Sequence, residues 1–212
     1  MARENVISDQ LTKNQKCLIG ITSRLGLDAC GKNRCDCLAK DWGVFFSKLG
    51  LQWFILPNIG MEAVALVERC AVTGLVLSGG EDIGVHPERD TTEILLLDWA
   101  CKNSLPVLGV CRGFQFMQHW LGGYLVPVDE RRHVAAAHDI VINGDKQRQV
   151  NSYHSWGITS LASPLEAFAV DPLSGTIEAA RWRNLLGIMW HPERYAISES
   201  ADRELFMSHF DM

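Results

Sequence analysis

The chain has 212 residues, of which 47% are hydrophobic, and its formal net charge is −5. This length suits one α/β domain with a full core, and the acidic balance without a basic stripe excludes a nucleic-acid-binding surface. No run approaches the roughly 18 apolar residues of a membrane span. Residues 1–16 are predicted to be a polar extension that lacks a signal peptide's apolar core, and residues 17–212 a single domain. Seven cysteines without an export signal predict free thiols in the cytoplasm.

The first half of the chain alternates predicted strands with predicted helices. Short apolar runs predict strands over residues 17–22, 53–56, 74–77 and 107–110. Apolar residues at helical spacing predict helices over residues 36–49, 61–72 and 91–102, with one more from 112 to about 122. Gly50 is predicted to end the first helix, and the polar stretch 23–34 is predicted to be a loop. Such alternation predicts parallel strands with helices on both faces.

The second half predicts antiparallel strands. Residues 138–142 and 149–156 flank an Asn143-Gly144 turn, which is typical of a hairpin. Further strands are predicted over 166–171, 176–182 and 185–190, and a closing helix over 198–210. The sequence therefore predicts an α/β fold in which a mostly parallel central sheet is flanked by helices and extended by antiparallel strands.

Cys111 is the candidate nucleophile. It follows the predicted strand 107–110 and lies between Gly109 and Gly113, ahead of a predicted helix. This G-x-C-x-G pattern is the thiol counterpart of the nucleophile elbow, a sharp turn that needs small neighbours. A helix N-terminus also favours the thiolate over the thiol.

A cysteine nucleophile needs a base, and the base needs a group that orients it. Of the seven histidines, His191 is the best placed, since it ends an apolar strand and Glu193 lies two residues further on. For the oxyanion that forms on attack, the backbone N–H groups of Gly80 and Arg112 are the predicted donors. Gly80 belongs to a glycine turn after a buried strand.

Three cysteines close together, Cys30, Cys35 and Cys37, raise the question of a metal site. Their spacing contains no C-x-x-C pair and no histidine lies nearby in sequence, so no metal ligands and no cofactor are predicted. We interpret them as thiols of a loop and a helix face.

Three motifs, L-S-G-G-E-D at 77–82, G-V-C-R-G-F-Q at 109–115 and W-H-P-E at 190–193, resemble those of class I glutamine amidotransferase domains. The resemblance implies a triad of Cys111, His191 and Glu193. R-D-x-x-E at 89–93 and V-N-S-Y-H-S at 150–155 point to its γ-glutamyl hydrolase branch. The resemblance also assigns substrate-binding residues to the glutamyl pocket: Gly79, Gln115, Asn151, Ser152, Tyr153 and His154, together with Arg112.

Within that branch, the short chain and A-K-D-W-G-V-F-F-S-K-L-G at 39–50 resemble the γ-glutamyl-CDP-amidate hydrolases, which release glutamate and a cytidine diphosphoramidate for capsule decoration. A diphosphate needs cationic donors. The stretch 23–34 supplies Arg24, Lys32 and Arg34, which either contact the diphosphate or only keep the loop soluble.

The sequence thus predicts a cysteine hydrolase of a small γ-glutamyl amide. A hydrolase of another γ-glutamyl amine such as γ-glutamyl-γ-aminobutyrate, a glutaminase subunit that feeds ammonia to a synthase, and a thiol-based sensor are the alternatives. The sensor would not need the orienting Glu193 beside His191. The leaving group and the oligomeric state, a homo-oligomer included, stay open.

Overall fold

The computed structural model describes residues 17–194 and 200–211. The strands in chain order are β1 (Leu18–Thr22), β2 (Arg24–Leu27), β3 (Arg34–Cys37), β4 (Gln52–Leu56), β5 (Gly74–Leu77), β6 (Val107–Val110), β7 (Val126–Pro127), β8 (Val134–Ile142), β9 (Lys146–Tyr153), β10 (Trp156–Gly157), β11 (Glu166–Val170), β12 (Ile177–Trp182) and β13 (Leu185–Ile188). The helices are α1 (Lys40–Leu49), α2 (Met61–Arg69), α3 (Pro87–Lys102), α4 (Arg112–Trp120), α5 (Glu130–His133) and α6 (Ser200–His209), and a 3₁₀ turn covers Pro192–Arg194.

One large mixed sheet organises the described residues. Its strand order is β4-β1-β5-β6-β13-β12-β11-β8-β9. The first five of these strands are parallel, and the last four add antiparallel ladders to β13. The observed architecture therefore matches the predicted parallel sheet with an antiparallel extension.

Both faces of the parallel strands are buried under helices. On one face α1 and α6 contribute Phe45, Phe46 and Phe206 to a core with the strand residue Ile21. On the other face α2, α3 and α4 pack on alternate strand residues such as Leu75. This two-sided burial explains why the parallel strands are short continuous apolar runs.

The stretch 23–34, predicted as a loop, is instead part of a β-hairpin, so that prediction is wrong. Strands β2 and β3 pair antiparallel from Arg24 opposite Cys37 to Leu27 opposite Arg34. The Asp28 carboxylate accepts the backbone N–H groups of Cys30 and Lys32 and so closes the turn. Consequently Cys30 lies in a hairpin turn, and Cys35 and Cys37 lie on β3 rather than on a helix face.

Several helix boundaries also differ from the predicted ones. α1 begins at Lys40 because β3 occupies residues 34–37, whereas Gly50 ends it in the left-handed conformation (φ +72°), as predicted. α3 begins at Pro87, four residues early, since proline is well suited to a first helical turn. The predicted start of the closing helix and the extension 1–16 lie outside the described residues. No helix within the described ranges is long and apolar enough to cross a membrane.

Candidate active site

Three neighbouring strands of the sheet bring the predicted catalytic segments together. β5, β6 and β13 are adjacent and parallel, so their carboxyl ends lie at one edge of the sheet. The Gly79-Gly80 turn follows β5, Cys111 follows β6, and His191 follows β13 after two residues. Open α/β sheets bind ligands at this edge.

Cys111 has the backbone conformation of a nucleophile elbow. Its φ is +52° and its ψ is −105°, a strained combination for a residue with a Cβ. The chain can turn here only because its flanks are glycine. A Cβ on Gly109 would lie 2.6 Å from the carbonyl carbon of Gly113, and one on Gly113 would lie 2.1 Å from the Leu77 oxygen.

His191 is held between a carboxylate and the cysteine. Its Nδ1 lies 2.7 Å from Oε1 of Glu193, and both side chains are 2% exposed. Burial acts to lower the pKa of His191, but the negative charges of Cys111 and Glu193, with a hydrogen bond to each, outweigh burial and raise the pKa to about 9. Because Nδ1 faces Glu193, Nε2 is the nitrogen left for the thiol.

The backbone of His191 is held by Asn151. The Asn151 Nδ2 donates to the His191 carbonyl oxygen at 2.8 Å, and the His191 N–H donates to Asn151 Oδ1 at 2.8 Å. The ring of Tyr153 packs edge-on against the imidazole with 5.6 Å between centroids. Asn151, predicted as a substrate contact, therefore positions His191 in this structure.

The glycine turn rests on a buried ion network. Arg89 donates from Nη2 to the carbonyl oxygens of Ser78 and Gly79 at 2.7 and 3.3 Å. At Gly80 φ is +152°, and a Cβ there would lie 2.3 Å from Arg89 Nη1, so the turn requires glycine. The R-D-x-x-E motif thus supports the turn from below.

Glu93 is the centre of that network. It is fully buried, accepts from Thr22 Oγ1 at 2.8 Å, and pairs with Arg89 and Arg112. Burial acts to raise the pKa of Glu93, but Arg112 and Arg89 outweigh it and hold the pKa below its usual value. The Arg112 guanidinium also bonds Asp90 and is almost fully buried. Its side chain is therefore part of this network, which leaves the backbone N–H as the group of Arg112 that bears on the site.

A cavity of about 120 Å³ opens beside His191. Its walls are formed by the glycine turn, by Arg24 on the β2–β3 hairpin and by the 3₁₀ turn. A larger cavity of about 770 Å³ is lined by Pro106 and Asn184, which precede β6 and β13, so it lies at the opposite edge of the sheet.

Comparison with known proteins decides the family, because the model of the peptidase C26 family matches residues 17–193. The chain belongs to the peptidase C26 family. One relative, the γ-glutamyl-CDP-amidate hydrolase of Campylobacter jejuni, is 29% identical over 184 residues, which cover 83% of this chain and 90% of that protein. Membership in peptidase C26 and this relative together identify the chain as a glutamine amidotransferase-like hydrolase.

Solved structures agree with the fold expected of this peptidase C26 chain. The glutaminase domain of CTPS from Trypanosoma brucei matches with a TM-score of 0.65 and 15% identity, covering 92% of this chain and 94% of that one. PurLQS from Thermotoga maritima matches with a TM-score of 0.66 and 15% identity, covering 92% and 98%. These similarities confirm the predicted class I glutamine amidotransferase-like α/β fold.

The remaining predicted pocket residues lie at different depths in the structure. Gly79 lies against the His191 ring, since a Cβ on it would lie 2.8 Å from Cε1. Gln115 on α4 donates from Nε2 to the Trp156 carbonyl oxygen at 2.7 Å. Ser152 is fully buried and donates to the backbone of His133, so its hydroxyl is directed into the protein.

His154 is also buried, and its Nδ1 lies 2.9 Å from the Trp156 carbonyl oxygen. Burial lowers the pKa of His154 to about 4, so the ring is neutral at physiological pH. His154 and Ser152 therefore lie behind the residues that line the site, where each hydrogen-bonds a backbone carbonyl oxygen.

Two contributors to the site were not predicted from the sequence. Thr22 accepts the Ser78 N–H and donates to Glu93, which joins β1 to the glycine turn. Trp156 offers its carbonyl oxygen to both Gln115 and His154. Thr22 ends a predicted strand at the ligand-binding edge, and this position was the available signal for it, whereas a backbone carbonyl gives no signal in the sequence.

Proposed function

We propose that this peptidase C26 chain hydrolyses a γ-glutamyl amide with Cys111 as nucleophile, His191 as acid and base, and Glu193 as the orienting carboxylate. The Cys111 thiolate attacks the γ-carbonyl carbon, and His191 gives its proton to the nitrogen as the carbon–nitrogen bond breaks. Water then adds to the thioester and gives a proton to His191. Glutamate leaves, and the thiolate is restored.

The observation that carries this proposal is the buried imidazole between a thiol and a carboxylate. A His191 pKa of about 9 favours imidazolium at neutral pH. Imidazolium is the form that can protonate a departing amine. A cysteine beside a base that a carboxylate orients is the arrangement that cysteine hydrolysis requires.

The oxyanion is assigned to the backbone N–H groups of Gly80 and Arg112. The Arg112 N–H belongs to the first turn of α4, where N–H groups have no partner within the helix. Gly80 belongs to the turn fixed by Arg89. The helix N-terminus and the rigid turn hold these two N–H groups on either side of the substrate carbonyl. The donors therefore stabilise the oxyanion without having to move during the reaction.

For the leaving group we propose cytidine diphosphoramidate, so the substrate is γ-glutamyl-CDP-amidate, hydrolysed in the cytoplasm. The similarity to the Campylobacter jejuni hydrolase supports this choice. Arg24 supports it independently, because this side chain lines the cavity beside His191 and remains 50% exposed. A cation at that position suits a diphosphate attached to the scissile nitrogen.

Arg34 stands further from the cavity, on the other strand of the hairpin. It is 66% exposed and its guanidinium pairs with Glu88 on α3. Arg24 is also paired, with Glu81 at 3.8 Å, but Arg24 lines the cavity and Arg34 does not. We therefore assign Arg34 the outer part of the nucleotide and the smaller share of the binding energy.

The test is glutamate release from a panel of γ-glutamyl-CDP-amidate, γ-glutamyl-γ-aminobutyrate and glutamine. We expect the nucleotide amidate to have the highest kcat/KM and Cys111→Ala to lose activity by several orders of magnitude. Arg24→Ala should raise the KM for the nucleotide amidate roughly tenfold, equivalent to about 1.4 kcal/mol, and leave γ-glutamyl-γ-aminobutyrate unaffected.

Arg34→Ala is the matched control, with a smaller rise in KM. Equal losses on both substrates in Arg24→Ala would refute the nucleotide assignment and leave the hydrolase assignment intact. A preference for glutamine would favour a glutaminase instead. Activity near the parent level in Cys111→Ala would refute the hydrolytic mechanism itself.

A further inference from the structure

A second group of titratable side chains is buried behind the wall of the active site. It consists of His133 at the end of α5, His138 on β8, His154 after β9, Asp171 after β11 and Glu178 on β12, and we call it the histidine cluster. Each of these residues is at most 4% exposed. The His133 ring centroid lies 4.7 Å from that of His138 and 4.9 Å from that of His154. The proposed hydrolysis uses none of these side chains.

The cluster contains an unusual number of buried polar atoms without a hydrogen bond. Among the described residues, both ring nitrogens of His133 and of His138, Nε2 of His154 and Oε2 of Glu178 have no hydrogen-bond partner. A buried polar group without a partner costs about 1–3 kcal/mol, and native proteins contain few of them. One nitrogen of His133, one of His154 and one oxygen of Glu178 lie within 4.8 Å of one another, so these unpaired buried atoms indicate a missing bound group.

The free atoms match the donor set of a transition metal. His133, His154 and Glu178 each offer a ligand atom, and these atoms lie within 4.8 Å of one another. His154 has its Nδ1 at the Trp156 carbonyl oxygen, so Nδ1 carries the proton and the Nε2 lone pair is free. Metal-bound histidines typically have their second nitrogen fixed in this way.

The two carboxylates of the cluster are not equivalent. Asp171 already accepts hydrogen bonds on both oxygens, from Arg132 and from the turn residues Leu173 and Ser174. Glu178 accepts from Thr176 on Oε1 and keeps Oε2 free. Glu178 is therefore the better ligand.

We propose that the histidine cluster binds one divalent transition-metal ion of the zinc class through His133, His154 and Glu178. His138 and Asp171 form a second group with His133, and Nε2 of His138 lies 3.5 Å from Oε2 of Glu178, so His138 borders the ion without being one of its three ligands. Two imidazoles and one carboxylate are a donor set that zinc accepts, and water would take the fourth tetrahedral position. The ion lies outside the proposed catalytic residues, so this inference goes beyond the proposed hydrolysis.

The ion would fix the segment that supports the active site. His154 bonds the Trp156 carbonyl oxygen, which also accepts from Gln115. The backbone N–H of His154 and the side-chain hydroxyl of Ser152 both donate to the His133 carbonyl oxygen, at 2.9 and 2.7 Å. Metal at the cluster would therefore hold the end of β9. Asn151, which positions His191, lies on this strand.

The experiment measures metal content and thermal stability in the full-length Cys111→Ala protein, in which the catalytic thiol cannot bind the ion. The protein is stripped with a chelator, dialysed against Zn²⁺ or Co²⁺ and analysed by mass spectrometry. We expect one ion per chain and a rise in Tm of roughly 5–10 °C at a hundredfold excess over the Kd. Co²⁺ should give tetrahedral d–d bands without a thiolate charge-transfer band.

His133→Gln and His154→Gln should lose the ion, whereas His119→Gln, at an exposed position on α4, should retain it. If the two cluster variants do not fold, X-ray absorption of the zinc-loaded protein decides. Nitrogen and oxygen scatterers at about 2.0–2.1 Å would support the site, and sulfur scatterers would overturn it. No retained ion, no change in Tm, or full retention in both cluster variants would also overturn it. Metal content is measured without substrate, so this result is independent of the hydrolase assignment.

Discussion

Replacing Asn151 by alanine tests whether this residue positions His191, the proposed catalytic histidine, or contacts the substrate. In the structure its amide forms two hydrogen bonds of 2.8 Å with the backbone N–H and C=O of His191. Alanine removes both bonds and leaves the His191 N–H unpaired, whereas the His191 carbonyl oxygen keeps the Arg194 N–H at 3.2 Å. An unpaired buried group costs about 1–3 kcal/mol, so we expect the free energy of unfolding to fall by about 1–3 kcal/mol.

The effect on catalysis follows from displacement of the imidazole. A catalytic group moved by about 1 Å can lose about 100-fold in rate. We therefore expect kcat for glutamate release to fall by about this factor while KM changes little. A substrate contact would have the opposite signature, a raised KM with kcat preserved.

The assay couples glutamate release to glutamate dehydrogenase, and urea unfolding gives the stability. Gln149→Ala is the matched control, because Gln149 lies on the same strand two residues away and is exposed. It should leave both quantities near the parent values. An Asn151→Ala enzyme with the parent kcat and a raised KM would refute the positioning role.

The remaining predictions concern the carboxylate and the elbow. Glu193→Gln removes one of the charges that raise the pKa of His191, so that pKa should fall and the basic limb of the kcat/KM profile should move to lower pH. The loss in kcat should be smaller than in His191→Ala. A basic limb at the parent pH would contradict the orienting role. Gly113→Ala should cost about 3 kcal/mol in urea unfolding, because its Cβ meets the Leu77 oxygen at 2.1 Å. Gly43→Ala, whose Cβ would lie 3.3 Å from the Trp53 side chain rather than against backbone, should change stability by less than about 1 kcal/mol, and equal costs would contradict the elbow argument.

The parallel half of the fold and the proposed triad of Cys111, His191 and Glu193 could both be predicted from the sequence, because both depend on local patterns. Apolar runs that end in glycine or cysteine mark buried strands and their carboxyl ends. The topology then brings Cys111 and His191 together from positions 80 residues apart. The fold comparison confirms the architecture, and the catalytic roles stay predictions.

The β2–β3 hairpin was missed because its strands have four residues each and neither is a continuous apolar run. In β2 the apolar residues are Leu25 and Leu27, β3 is mostly exposed, and the turn is closed by Asp28 rather than by an Asn-Gly pair. The histidine cluster was missed for a different reason. Its five members lie on or directly after five separate elements, and no spacing in the sequence relates His133 to Glu178.

The hairpin also separates substrate selection from the chemical reaction. The proposed reacting groups lie at the ends of hydrogen-bonded strands within the central sheet, whereas Arg24 stands on a two-stranded unit outside that sheet. At its base the hairpin is joined to the rest of the chain by a few polar contacts, among them Ser23 to Asp36 and Asn58 to Asp36. Because the hairpin contributes no strand to the central sheet, its length or charge can change without breaking a strand pairing that positions Cys111 or His191. In this architecture substrate choice can diverge while the chemistry stays constant.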